Sequence, residues 1–185
     1  MKSLKIFAAS VILATTTSFS TVFAEDLDGV KEFQENLPDW YWTADRINPN
    51  NPDLENLPPS KVEFQLKNLD EISTLGETAL VGGTGSSYIM NEGSGYYAIN
   101  ATYADTIVVL FQVIGTLYKQ PKGSTGLTII DIASESKSYT KGMVVAETTS
   151  PSQPVGTTML TEGVHYINMP LISETKVTTD KLVVK

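Results

Sequence analysis

Asp39-Trp40-Tyr41-Trp42 sets three large rings in a row beside a carboxylate. Flat rings with an apolar face and a hydrogen-bonding edge suit the face of a sugar or a protein partner. Trp40, Tyr41 and Trp42 are therefore candidate ligand-binding residues. The same rings would serve equally as cover for an apolar sheet face. In an extended stretch Trp40 and Trp42 share one side and Tyr41 takes the other. The two tryptophans are then expected to be both buried or both presented.

His165 is the only histidine. A Ser-His-Asp device would have to use it, and so would most zinc sites. Its strand phase with Ile167, Met169 and Leu171 places it on the core side as a packed, hydrogen-bonded residue. No catalytic residue is assigned. Hydrolysis by a carboxylate pair needs only two well-spaced acids. Nothing singles out a pair among the 21 acids, so an enzyme is the least supported reading.

Ala79 to Ser87 holds Gly82, Gly83 and Gly85 after an apolar start, like a phosphate loop. Such a loop needs a following helix to hold the phosphate. Tyr88 to Gly95 cannot supply one, and the stretch reads as a flexible turn. Asp26-Leu27-Asp28-Gly29 has half the pattern of a calcium loop, but its twelfth position is Leu37 rather than a bidentate Glu. Asn48, Asn50 and Asp53 could lend oxygens to calcium, yet Asn-Pro pairs make turns in any case. Metal binding is thus left open, and no cofactor is implied. Asn100-Ala101-Thr102 fits a glycosylation acceptor, relevant only in a eukaryotic secretory pathway.

The elements that must position these residues begin with a leader. Lys2 and Lys5 precede an apolar stretch, Ile6 to Ala14, too short to span a bilayer, and Val22-Phe23-Ala24 follows a small polar segment. That is the layout of a secretory signal peptide over residues 1–24, cleaved after Ala24. The expected location is secreted or periplasmic. The remaining 11 basic residues against 21 acidic ones give a charge of −10. Such a surface repels nucleic acid and anionic lipid. Cysteine is absent, so disulfides, thiolate metal sites and a cysteine nucleophile are excluded. The strongest later apolar run, Ile107 to Leu117, is too short for a transmembrane anchor.

Residues 25–60 carry 9 of the acids and both tryptophans. Leu27, Val30, Phe33 and Leu37 recur at helical spacing, so a short acidic helix is expected, ended by Pro38. Asn48-Pro49-Asn50-Asn51-Pro52 and Leu57-Pro58-Pro59 then impose an irregular linker. From Lys61 the period becomes two. Strands are expected at Lys61–Lys67, over Tyr96 to Tyr103, and at Thr106–Tyr118, which is apolar on both faces. More follow at Leu127–Ala133, Met143–Thr148, Val164–Leu171 and Val177–Val184, with a turn at Ser134–Ser138. Residues 61–185 thus read as one all-β antiparallel β-sandwich domain. The second apolar face at Val108, Leu110 and Ile114 needs cover, which residues 25–60 are expected to supply.

Three segments carry a family likeness. Gly95-Tyr96-Tyr97-Ala98-Ile99-Asn100-Ala101-Thr102-Tyr103-Ala104, Leu160-Thr161-Glu162-Gly163-Val164-His165-Tyr166-Ile167 and Thr179-Asp180-Lys181-Leu182-Val183-Val184 resemble strands of jelly-roll carbohydrate-binding modules. The resemblance implies a jelly-roll sandwich and a non-catalytic role in binding or adhesion, with a polysaccharide or surface glycan as partner. The alternative is a secreted structural or protein-interaction factor of matrix or virulence type.

Overall fold

The computed structural model describes residues 22–23, 33–67, 80–93, 95–170 and 172–185. Most of the leader, the part of the expected acidic helix before Phe33 and the Asp26 half-loop lie outside them. Seven strands form one antiparallel sheet: β1 (Val22–Phe23), β2 (Lys61–Lys67), β3 (Leu80–Asn91), β4 (Gly95–Gln120), β5 (Thr128–Pro151), β6 (Thr158–Met169) and β7 (Ile172–Val183). Among the described residues, 33–35 are helical and a short helical turn, α1 (Asp39–Thr43), follows Pro38. The all-β expectation therefore holds.

The architecture follows from the length of the β4–β5 hairpin. β5 accompanies β4 along one edge throughout, from Gly95↔Pro151 to Lys119↔Thr128. On its other edge β4 changes partner. Its first part pairs β3 (Gly83↔Ala104 to Asn91↔Tyr96) and its last part pairs β6 (Leu110↔Asn168 to Gln120↔Thr158). The register slips between Ala104 and Val108, and there the hairpin bends. A bulge re-aims a strand and increases its twist. Tyr139 (φ 51°) and Gly142 (φ 119°) take left-handed conformations on β5 opposite the bend.

The bend makes two half-sheets that face each other. The first holds β2, β3, the start of β4 and the end of β5. The second holds the start of β5, the end of β4, β6 and β7. β7 lies against β2 and β3, so the sheet nearly closes on itself like a barrel. Thr179 N–H donates to Pro59 O at 3.2 Å across that closure, and the Lys176 ammonium donates to Glu63 O.

Two expected turns are strands. Residues 82–87 lie in β3, where glycines permit close approach rather than flexibility. A Cβ on Gly83 would sit 2.6 Å from Tyr103 O, and one on Gly85 would sit 2.6 Å from the His165 ring. Ser134–Ser138 lies inside β5, paired with Leu110–Ile114; it holds no glycine or proline to break a ladder. The phase read for the apolar strand also shifts at the bulge. Val108 joins the interior with Phe111 and Val113, while Ile107 is 67% exposed.

The interior has three layers along the strands. Phe64, Leu66, Val108, Phe111, Val113, Ile167 and Met169 form an apolar cluster near the bend. Ile89, Tyr96, Ala98, Leu117, Ile130 and Met159 form another at the far end. Between them lies a belt of buried polar residues: Ser87, Asn100, Thr102, Thr161, His165 and Thr178.

Candidate functional site

The polar belt is the chemistry closest to a catalytic pattern. Thr102 Oγ1 is 2.9 Å from His165 Nδ1, and Thr178 Oγ1 is 2.6 Å from Nε2. Thr178 continues to Ser87 Oγ at 2.5 Å, and the Ser87 hydroxyl donates to Asn100 Oδ1 at 2.6 Å. Asn100 Nδ2 donates to Thr161 Oγ1 at 3.0 Å. Each bond joins one strand to another, and most cross between the half-sheets. Burial pushes the His165 pKa down to about 3, so the ring is neutral. Both ring nitrogens meet threonine hydroxyls rather than a carboxylate, and every member of the belt is fully buried. His165 is a packed and hydrogen-bonded residue beside Ile167, as its strand phase indicated.

Three glycines make room for the belt. A Cβ on Gly163 would meet His165 Nε2 and Ser87 Oγ at 2.7 Å and Asn100 Oδ1 at 2.8 Å. Gly85 does the same for the imidazole face, and Gly115 for the Asn100 amide. Asn100 is therefore a buried anchor, and its side chain is closed to glycosylation in the folded chain.

The aromatic triplet is split by its local structure. Asp39–Thr43 is helical, so successive side chains fan around an axis instead of alternating, and the extended-strand pairing of Trp40 with Trp42 fails. Trp40 stacks on Tyr166 with centroids 4.7 Å apart and planes 8° apart. Tyr41 is fully buried against Ile114, Ile132 and Val164, with its hydroxyl 3.2 Å from Thr116 Oγ1. Its pKa rises to about 12, chiefly through burial. Trp42 is 53% exposed. The three rings thus form no common platform, and Tyr41 is cover for the sheet.

Arg46 completes that cover. Its guanidinium lies 3.9 Å from the Tyr41 ring centroid, and its Nε donates to Glu162 Oε1 at 3.1 Å. Its Nη2 donates to Tyr118 Oη at 2.9 Å, and the Tyr118 hydroxyl donates to Glu162 Oε2 at 2.8 Å. Glu162 is fully buried and Arg46 partly so. Ile47, Leu54 and Leu57 extend the strap over Tyr118, Leu127 and Leu160. Residues 33–57 therefore cover the outer face of the second half-sheet. Asn48 and Asp53 spend their oxygens on local turns: Asn48 Oδ1 accepts from Asn50 N, and Asp53 accepts from Glu55 N and Asn56. Among the described residues no three potential metal-binding side chains converge.

The outer face of the first half-sheet has no such strap among the described residues. Tyr97, Ile99, Ala101 and Tyr103 of β4 point outward, opposite Met90, Tyr88, Ser86 and Thr84 of β3 and Thr149, Glu147, Val145 and Met143 of β5. Tyr88 is 51% exposed, Tyr103 44% and Met143 53%. The Tyr97 hydroxyl shares a hydrogen bond with Glu147, and its pKa rises to about 12 through partial burial, that bond and the charges of Glu147 and Glu92. The result is a tyrosine-lined, acid-edged sheet surface. Alternation over Tyr96 to Tyr103 was legible in the sequence; which side faces outward was not.

Set against protein-family models, curated proteins and solved structures, the chain matches none. The geometry of its own surfaces carries the functional argument.

Proposed function

We propose that the chain is an exported, non-catalytic binding or adhesion module, and that the outer face of the first half-sheet meets its ligand. The observation that carries this reading is that Tyr88, Tyr97 and Tyr103 share one outer face, which has no cover among the described residues. Planar phenols held on a rigid sheet offer stacking surface and a hydrogen-bonding edge at low entropic cost. A polysaccharide or surface glycan uses both. Trp42 is the one member of the aromatic triplet exposed enough to contribute. The two facing half-sheets support the sandwich reading of the fold, and the Met1–Ala24 leader supports export.

The alternative is a secreted structural or protein-interaction factor. It is favoured by Ile107, Tyr139 and Met143, which are exposed around the bend and give an apolar rather than stacking surface. A glycan-array screen of the protein beside a Tyr88→Ala/Tyr97→Ala/Tyr103→Ala variant separates the readings. Binding that falls at least tenfold in a variant of unchanged melting temperature supports the glycan face. Glycan binding that persists in the variant removes that face from consideration.

A further inference from the structure

β5 is bent back on itself, and its own side chains bridge the two arms. Asp131 Oδ2 accepts from Thr149 N–H at 2.8 Å, Glu135 Oε2 accepts from Val145 N–H at 3.1 Å, and Lys137 Nζ donates to Met143 O at 2.9 Å. The three pairs step toward the turn around Thr140 in one antiparallel register. The backbone groups at 143, 145 and 149 belong to the edge of β5 that faces away from β4; that edge has no strand partner among the described residues. Three side chains stand where a neighbouring strand would be. Charged caps of this kind are how natural sheets blunt an edge that would otherwise pair with another chain.

We propose that β5 is a latent strand-pairing edge held shut by Asp131, Glu135 and Lys137, and that two copies of the chain join along it, antiparallel, when acid protonates Asp131 and loosens the seam. Two arguments favour a second copy as the occupant. An antiparallel pair of identical edges is self-complementary about a two-fold axis. The chain also carries a formal charge of −8 at pH 7 and has a pI near 4.6, so repulsion between copies fades in the same acid range.

The chemistry of Asp131 sets the trigger. Its two oxygens serve two N–H donors, Ile132 N at 2.9 Å and Thr149 N. Protonation turns one acceptor oxygen into a donor, so one N–H is released. Burial raises the Asp131 pKa to about 6 against the lowering effect of those two bonds. The groups opposite the seam add no cation: β4 places Leu117 across from Asp131 and Tyr97 across from Thr149, and β1 brings Val22 and Phe23. Glu147, on the returning arm, bonds Tyr97, and Lys137 is the cation of the seam itself.

Mass measured in solution at pH 7.5 and pH 5.2 tests this. The protein is expected to be single at pH 7.5 and paired at pH 5.2. Asp131→Asn with Glu135→Ala, which removes the two carboxylate caps and takes the formal charge only from −8 to about −6, is expected to pair already at pH 7.5. Val145→Pro, which lacks the edge N–H that β4 does not use, is expected to stay single at both. A wild type single at pH 5.2 overturns the proposal. So does a folded double variant that stays single at pH 7.5, because charge loss alone then drives association. Pairing of Val145→Pro in acid would place the contact elsewhere. Should the double variant not fold, the wild type and Val145→Pro decide between them at pH 5.2.

Discussion

The two outer faces of this sheet both present large side chains, and among the described residues only one of them is covered. On the second half-sheet Ile114, Ile132 and Val164 lie under Tyr41, Trp40 and Leu37, locked down by Arg46 on Glu162. On the first, Tyr88, Tyr103 and Met143 stand in the open. The difference lies in residue type. Aliphatic side chains offer nothing to water, whereas tyrosine keeps a hydroxyl there and can remain exposed at modest cost. The covered face gains stability from its strap, and the other face has none among the described residues.

The largest test of that contrast removes the strap. Deletion of residues 25–60 uncovers Ile114, Ile132 and Val164 and strands Glu162 without Arg46. An insoluble or self-associating product is expected by light scattering. A monomeric product of equal stability would mean that the covered face needs no cover. Next in size is Tyr41→Ala, expected to cost about 3–5 kcal/mol in urea melts, as for other buried aromatics. A loss below ~1 kcal/mol would break the comparison.

Acid tests whether the shared interior, rather than either face, sets pH dependence. His165 has its folded pKa lowered to about 3 from 6.5, so its stabilisation is present above pH 6.5 and lost as pH falls toward 3. Asp131 is raised to about 6 from 3.8, so it gains stability as pH falls between those values. At about 1.4 kcal/mol per pH unit, His165 costs roughly 4–5 kcal/mol and Asp131 returns roughly 3. From pH 6 to pH 4 these two contributions nearly cancel. In His165→Asn only the Asp131 contribution remains, so the change in stability on acidification should be more favourable than in wild type by about 2–3 kcal/mol over that range. Parallel profiles for the two proteins would remove His165 from the pH response. The smallest effect belongs to Tyr103→Ala on the bare face, expected to stay within about 0.5 kcal/mol of wild type.

Much of the sheet was legible in residue order. The alternation over Lys61–Lys67 and the β-branched density of Ile107 to Ile114 gave β2 and the middle of β4. The glycines of β3 misled because glycine marks a turn and a close approach alike, and only the His165 and Ile167 side chains across the interior distinguish them. The aromatic triplet misled because Pro38 starts a helical turn that periodicity in three residues cannot reveal. The outward face of β4 was hidden by inverted polarity. Asn100 and Thr102 point inward while Ile99 and Tyr103 point outward, since the buried groups find partners on β6. A pattern of apolar and polar letters cannot see those partners.

The near-closure of the sheet also bears on how the chain acquires its shape. β4 and β5 are neighbours in sequence and can zip from their connecting turn within microseconds, as short hairpins do. The bond from Thr179 Oγ1 to Pro58 O instead spans 121 residues. Loop-closure entropy must be met before such distant contacts repay it, and chains dominated by them fold in milliseconds to seconds. The β7 edge is therefore expected to dock last. Pulse-labelled exchange should show amides of Leu110–Gln120 protected before that of Thr179; the reverse order would mean that the distant closure forms the nucleus.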